Sequence, residues 1–256
     1  MLTFIDTHTH LSSNAFDEDR AAVVDRASAA GVTTLIDIGS GYGLDSAARS
    51  VKVAGEFANV YSTVGLHPND AACRFDISFL LALARHPKVV AIGETGLDFY
   101  RDKADKSEQE AWFRAQIELA KECEKPLVVH SRSAGADCLR VMEEEGARDV
   151  GGVFHCYAED AEFAKKLVDL NFLISVPGII TFKNAGFLRS VLEQVPLSQI
   201  MLETDAPFLA PEPNRGKRCE SAFMVETAKK LAEVKKVSLA EVAEVTSGNA
   251  RRVFGV

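Results

Sequence analysis

The 256-residue sequence predicts a single-domain α/β protein folded as a (β/α)8, or TIM, barrel, and three observations carry that expectation. Eight short apolar or β-branched runs alternate with segments of helical periodicity, a pattern that implies parallel βα units. The alternation is complete within about 200 residues, and roughly 250 residues is the usual length of one closed barrel. Five of the six histidines fall at or just beyond the carboxyl ends of the predicted strands. That is the face on which barrel enzymes carry their sites. An open doubly wound sheet fits the periodicity alone, but it would spread these residues along an edge instead of turning them into one mouth.

The first strand is expected over Leu2–Thr7, where Phe4-Ile5-Asp6-Thr7-His8-Thr9-His10 ends an apolar run in two histidines. Residues i and i+2 of an extended strand face the same way, so both imidazoles converge on one point. Paired neutral imidazoles suit a divalent metal, imidazole being a common ligand of zinc, iron, nickel and copper. Two hydrogen-bonding residues at a strand end are the plainer alternative. A helix follows over Asp17–Ala30, a strand over Thr34–Ile38, a helix over Leu44–Glu56 and a strand over Val60–Val64. Next, Gly65-Leu66-His67-Pro68-Asn69 sets His67 in a loop without a second ligand beside it, as a substrate contact or a loop hydrogen-bonder. The helix over Asp76–His86 ends in a histidine before Pro87, where the helix dipole favours a cation and no function is required.

Val89–Ile92 is the fourth strand, and Glu94 follows it between glycines whose backbone freedom permits close approach to a ligand. After the helix Lys106–Glu124, the strand Leu127–Val129 ends in His130-Ser131-Arg132. After the helix Ala134–Glu145, the strand Gly152–Phe154 ends in His155-Cys156-Tyr157. A helix over Ala158–Leu170, a strand over Phe172–Val176 and a helix over Ala185–Gln194 lead to the last strand, Ile200–Leu202. Glu203 and Asp205 come next at i and i+2, so that one binds metal while the other tunes a partner, or Glu203 is structural. A loop rich in proline and charge, Pro207 to Glu220, precedes helical patterns near Ser221–Val234 and Leu239–Val245. Ser247-Gly248-Asn249 reads as a turn before an apolar anchor at Val253-Phe254.

Hydrophobic residues at 47% and charged residues at 26% describe a globular protein with a sizeable core. The N-terminus opens into a strand without a basic and apolar leader, and no apolar run approaches the ~18 residues of a membrane span, so a cytoplasmic protein without membrane contact is expected. The five cysteines, Cys73, Cys123, Cys138, Cys156 and Cys219, are scattered without a C-x-x-C pair and are expected as reduced thiols. A net charge of −8 confines any nucleic-acid contact to a local patch.

The motifs Asp6-Thr7-His8-Thr9-His10-Leu11, Gly65-Leu66-His67-Pro68, Gly93-Glu94-Thr95-Gly96-Leu97-Asp98, Val129-His130-Ser131-Arg132, Phe154-His155-Cys156-Tyr157 and Glu203-Thr204-Asp205-Ala206-Pro207 occur in this order. Arg215-Gly216-Lys217-Arg218 adds a further match. With these motifs the chain resembles the TatD family of metal-dependent deoxyribonucleases, among the amidohydrolase-like barrels. One departure lies after Arg218, where many members read Asn-Glu-Pro and this chain has Cys219-Glu220-Ser221. It bears on the loop's substrate contacts and leaves the metal set intact.

The resemblance implies one divalent ion on His8, His10, Glu94 and Asp205, and a second on Glu94, His130 and His155. Two ions roughly 3.5–4 Å apart clamp the attacking and leaving oxygens of a phosphodiester displacement. Asp205 is then the residue to orient or deprotonate the water, with Glu94 as its catalytic partner. Four imidazoles and two carboxylates suit Zn²⁺, Mn²⁺ or Ni²⁺, whereas Mg²⁺ prefers oxygen, and the choice stays open. Arg132, Arg215, Lys217 and Arg218 are expected on the rim as phosphate contacts, the alternative being solvated loop charges. A short basic rim on an acidic protein points to exonuclease action on single-stranded or frayed DNA ends. The same centre also suits a D-aminoacyl-tRNA deacylase or another amidohydrolase-type hydrolase. A non-catalytic, metal-dependent nucleic-acid-binding protein is the reading from another class.

Overall fold

The computed structural model describes residues 2–73, 76–101 and 103–256. Eight strands form one all-parallel sheet in sequential order: β1 (Phe4–Thr9), β2 (Val32–Asp37), β3 (Val60–Val64), β4 (Val89–Asp98), β5 (Leu127–Arg132), β6 (Gly152–Phe154), β7 (Phe172–Val176) and β8 (Ile200–Leu202). Each strand pairs with the next. The seam between β8 and β1 closes through a parallel bridge of Thr9 with Ala206. There Asp205 N–H donates to the His8 carbonyl at 2.8 Å, and His10 N–H to that of Ala206 at 2.7 Å. Thr7 Oγ1 donates to Leu202 O at 2.9 Å. The expected (β/α)8 barrel is the observed fold.

Helices α1 (Arg20–Ala29), α2 (Ser46–Glu56), α3 (Ile77–Ala84), α4 (Lys106–Glu122), α5 (Gly135–Glu144), α6 (Ala161–Asp169) and α7 (Gly186–Gln194) fill the crossovers, and α8 (Met224–Lys235) and α9 (Leu239–Phe254) follow β8. Helix α6 shows the local logic. Asp160 caps it by accepting Phe163 N–H at 2.8 Å, and Ala161, Ala164 and Leu167 bury one helical stripe.

Unbroken apolar runs such as Leu127–Val129 and Ile200–Leu202 occur in the strands because both of their faces are buried. Leu127, Val129, Phe154, Ile200 and Leu202 belong to the large core shared with the helices. Their alternates Val128, Val153 and Met201 join Ile5, Ile36, Ile38 and Ala91 in a smaller cluster, completed by Ala250 and Phe254 of α9. Alternation places this second cluster inside the barrel.

Three expectations shift. The first helix starts at Arg20, not Asp17, because Asn14–Phe16 forms a separate 3-10 turn that buries Phe16. Glu94 lies inside β4, not after it. Gly93 and Gly96 are places of close strand approach, since a Cβ on Gly96 would lie 2.1 Å from the His130 carbonyl oxygen. Ser247-Gly248-Asn249 is the interior of α9, not a turn, because its polar side chains bond the barrel end: Ser247 Oγ donates to Thr3 O at 3.1 Å, and Asn249 Nδ2 to Leu197 O at 3.0 Å and Ile200 O at 2.8 Å. Among the described residues, no helix is long and apolar enough to cross a membrane.

Candidate metal centre

The carboxyl ends of the strands converge on Glu94. Its Oε1 lies 2.8 Å from His130 Nδ1, 2.9 Å from His155 Nε2 and 3.5 Å from His67 Nε2, and its Oε2 lies 3.6 Å from His8 Nε2. Asp205 Oδ1 is 3.4 Å from His10 Nε2 and 3.7 Å from His8 Nε2. The His8 and His155 rings stack at 3.9 Å. The structure therefore brings His8, His10, Glu94, His130, His155 and Asp205 into one connected cluster.

Two of these side chains owe their aim to breaks in strand register. In β4, Gly93 pairs with Val128 and Thr95 with Val129, which leaves Glu94 as an extra residue. In β1, Asp6 pairs with Leu35 and Thr9 with Asp37, so Thr7 and His8 stand opposite Ile36 alone. A bulged residue turns out of the pleat, a device often found beside active sites. Glu94 N–H is then held by Ser40 Oγ at 3.1 Å. Asp205 sits at a φ of 58°, a left-handed conformation tolerated by aspartate, and Phe208 N–H donates to its carbonyl at 2.9 Å.

His67, on sequence a substrate contact or a loop hydrogen-bonder, is buried within the cluster. Its Nδ1 accepts Asn69 N–H at 3.0 Å, and this turns Nε2 toward Glu94. His86 stays outside, its Nδ1 accepting Lys88 N–H at 3.2 Å.

Behind the imidazoles stands a second ring of acids. Asp98 Oδ2 is 3.4 Å from His130 Nε2, and Asp98 Oδ1 accepts the N–H groups of Tyr100 and Arg101 at 3.0 Å each. Glu203 Oε1 is 3.6 Å from His155 Nδ1 and accepts Cys156 N–H at 2.8 Å, and Ser175 Oγ donates to its other oxygen. Asp6 accepts Thr204 N–H at 2.9 Å, Thr204 Oγ1–H at 2.6 Å and His8 N–H at 3.3 Å, tying the His8 strand to the Asp205 turn. Such outer carboxylates set the orientation of metal-binding imidazoles. Asp6 and Asp98 escaped the sequence reading. Their one signal is an acid a few residues from a ligand-type residue at a strand end, Asp6 before His8 and Asp98 after Glu94.

The electrostatics divide the imidazoles: burial lowers His8 and His67 towards the neutral, ligating form, while nearby carboxylates outweigh burial and raise His10, His130 and His155, so that a bound metal ion would displace protons there. Burial, together with the neighbouring His155, pushes the His8 imidazole well below its ordinary range. Both of its ring nitrogens are buried without a hydrogen bond, as is Nδ1 of His10. Burial alone would raise the Glu94 carboxyl, but the charges of His155 and His67 and the hydrogen bonds of His130 and His155 hold it well below the carboxylate range. Burial opposes a proton on His155, yet Glu94 and Glu203 outweigh it and raise that imidazole well above its usual value. A His8 held towards the neutral form, with its one lone-pair nitrogen unpartnered beside a shared carboxylate, is a donor set for a divalent ion. Among the described residues, three groups keep their ligand atoms within 4.8 Å of one another: His8–His10–Glu94, His67–Glu94–His130 and His8–His155–Glu203. Two of them share Glu94.

The expected phosphate contacts divide. Arg132 is exposed with its guanidinium 4.5 Å from the Tyr100 ring centre, and exposed Arg215 stands 4.0 Å from that of Phe182. Lys217 Nζ donates to Asn214 Oδ1 at 3.2 Å. Arg218 is held by the fold. Both of its terminal nitrogens donate to Asp19 at 2.8 Å, and one also donates to Ala15 O at 2.7 Å, which engages most of the guanidinium within the fold.

Comparison with known proteins agrees with this geometry. Residues 5–255 match the family described as TatD related DNase. An uncharacterized metal-dependent hydrolase of Bacillus subtilis (strain 168), YabD, is 39% identical over 253 residues, with 98% of each chain covered. The 3'-5' ssDNA/RNA exonuclease TatD of Citrobacter koseri is 33% identical over 258 residues, again with 98% of each chain covered. The crystal structure of YjjV, a TatD homologue from Escherichia coli K12, is similar with a TM-score of 0.90 at 29% identity, covering 99% of this chain and 98% of that one. The chain belongs to the TatD-related DNase family of metal-dependent hydrolases.

Proposed function

We propose that the protein is a two-metal phosphodiesterase that removes nucleotides from single-stranded or frayed DNA ends. The observation that carries the reading is Glu94, a buried carboxylate whose Oε2 lies 3.6 Å from His8 and whose Oε1 lies 2.8 Å from His130 and 2.9 Å from His155. In this reading His8, His10, Glu94 and Asp205 hold one ion, and Glu94, His130 and His155 hold the other. Bound divalent ions supply Lewis acidity and lower the pKa of water. Four imidazoles favour Zn²⁺, Mn²⁺ or Ni²⁺ over Mg²⁺.

The residues then divide the remaining work. Asp205 has a side chain 17% exposed against 4% for Glu94, so Asp205 meets solvent, orients the attacking water and accepts its proton. Glu94 stays ionised and fixes the imidazoles around it. Arg132, Arg215 and Lys217 receive phosphates at the rim, and Arg218 holds the loop that carries two of them. A relative named as a single-stranded DNA/RNA exonuclease supports nucleic acid as the substrate class. The five free cysteines agree with a reducing cytoplasm.

The test is turnover by metal-loaded protein of end-labelled single-stranded DNA, blunt duplex DNA, a D-aminoacyl-tRNA and a panel of lactones. Stepwise shortening of the single strand is expected, with slower attack on the duplex. Turnover confined to the carbonyl substrates would replace the nuclease reading with an ester hydrolase on the same centre.

A further inference from the structure

Large apolar side chains left in water are costly, and among the described residues five exposed aromatic rings remain: Tyr42, Phe79, Tyr100, Phe187 and Phe208. Phe79 and Phe187 lie on helices α3 and α7. The other three adjoin the cluster. Tyr42, 39% exposed in the loop after β2, meets the His10 ring edge-on at 5.2 Å. Phe208, 52% exposed just beyond Asp205, meets the same ring at 6.4 Å. Tyr100 follows Asp98 at the end of β4 and is 66% exposed, with Arg132 against its ring. One ring face is thus backed by a guanidinium while most of the side chain stands open.

We propose that Tyr42, Phe208 and the Tyr100–Arg132 pair form a base-stacking subsite for unpaired nucleotides at the mouth of the barrel. The proposal rests on the nucleic-acid reading given above and adds what grips the strand. A protein of net charge −8 has little overall electrostatic hold on a polyanion. Aromatic rings supply an uncharged hold. A nucleobase stacks on an aromatic side chain whatever its sequence, because every base has a π-face. In a duplex those faces are already stacked on neighbouring bases, so the same rings select strand ends that are single or frayed. Phe208 also lies in the turn whose N–H binds the Asp205 carbonyl, which links an occupied ring to the position of the water-orienting carboxylate.

The experiment compares kcat/KM for a single-stranded oligothymidylate with that for the same oligonucleotide carrying abasic residues at its end. Wild type is expected to favour the base-bearing substrate by about 5- to 150-fold, the equivalent of one stacked base. That ratio should collapse toward one in Tyr42→Ala and Phe208→Ala, fall in Tyr100→Ala, and return in Phe208→Trp. Phe208→Leu, which keeps apolar bulk without a ring, should behave as Phe208→Ala and so guards against a folding defect. In parallel, Asp205→Asn protein should quench 2-aminopurine at the strand end. A ratio near one in wild type, or an unchanged ratio in the variants, overturns the subsite while leaving the nuclease reading intact. Absence of cleavage and of binding for either oligonucleotide overturns both.

Discussion

At the carboxyl end of the strands, His8 buries two ring nitrogens without a hydrogen bond and Glu94 gathers four imidazoles around one carboxylate. At the amino end, Asn249 and Ser247 of α9 reach three backbone carbonyls, while Ala250 and Phe254 complete the apolar interior. Buried polar groups in proteins are nearly always paired, and the unpaired imidazole nitrogens, those of His8, His10, His130 and His155, gather at the carboxyl end. The carboxyl end holds its polar atoms in a pattern that a cation completes. One barrel thus keeps stability at one end and chemistry at the other. Substitutions at the two ends should separate along that line.

The largest effect is expected from Glu94→Gln, which keeps the volume and removes the shared charge. Turnover should fall to background, and the metal content should drop. Metal that binds only the folded state raises its melting temperature by mass action. A chelator should therefore lower the melting temperature of wild type and leave that of Glu94→Gln unmoved. A chelator response in the variant equal to that of wild type would break the assignment of Glu94 to the metals. Asp205→Asn comes next, with a loss of about 10²–10⁴-fold in single-turnover cleavage if the carboxylate takes the water's proton. Cleavage within ~10-fold of wild type would make Asp205 a bystander.

Legibility in the sequence followed the same division. The apolar runs of the strands show the barrel because a strand buried on both faces has little polar phase to hide it. The histidines showed the mouth because ligand-type residues are rare and five of the six sat at strand ends. Glu94 was placed beyond its strand because glycine signals a turn in one context and close strand approach in another. A strict two-residue period also cannot reveal the extra residue that turns Glu94 and His8 inward. Ser247-Gly248-Asn249 looked like a turn because the carbonyls that hold it in a helix lie on other segments of the chain. Acids are common, so Asp6 and Asp98 gave little sign of the groups behind them.

At the other end of the barrel, Phe254→Ala should cost about 3 kcal/mol of stability, the lower part of the range for a buried phenylalanine, because the ring sits at the edge of its cluster. Urea titration measures it. The kcat/KM of the folded protein should stay at the wild-type value, since the affected interior lies at the amino end of the strands. A parallel fall in turnover would mean that the two ends are coupled, and that the amino end does more than hold the barrel together.

The smallest effect is expected from Arg218→Ala, and it decides to which end's logic the basic loop belongs. Arg218 stands in the mouth loop with Arg215 and Lys217, yet it is wired like the scaffold: Asp19 takes two of its bonds, and Arg26 joins Asp19 at 3.0 Å and Glu220 at 2.6 Å in the same network. The Arg218 and Asp19 side chains are 37% and 34% exposed, so solvent weakens the pair and its loss should cost no more than ~1 kcal/mol. Each phosphate neutralised on a single strand contributes about 0.7 to the slope of log K against log salt. Arg215→Ala should therefore flatten that slope by about 0.7, and Arg218→Ala should leave it alone. Equal flattening in both variants would show that the Asp19 bond breaks when DNA arrives, and it would return Arg218 to the substrate.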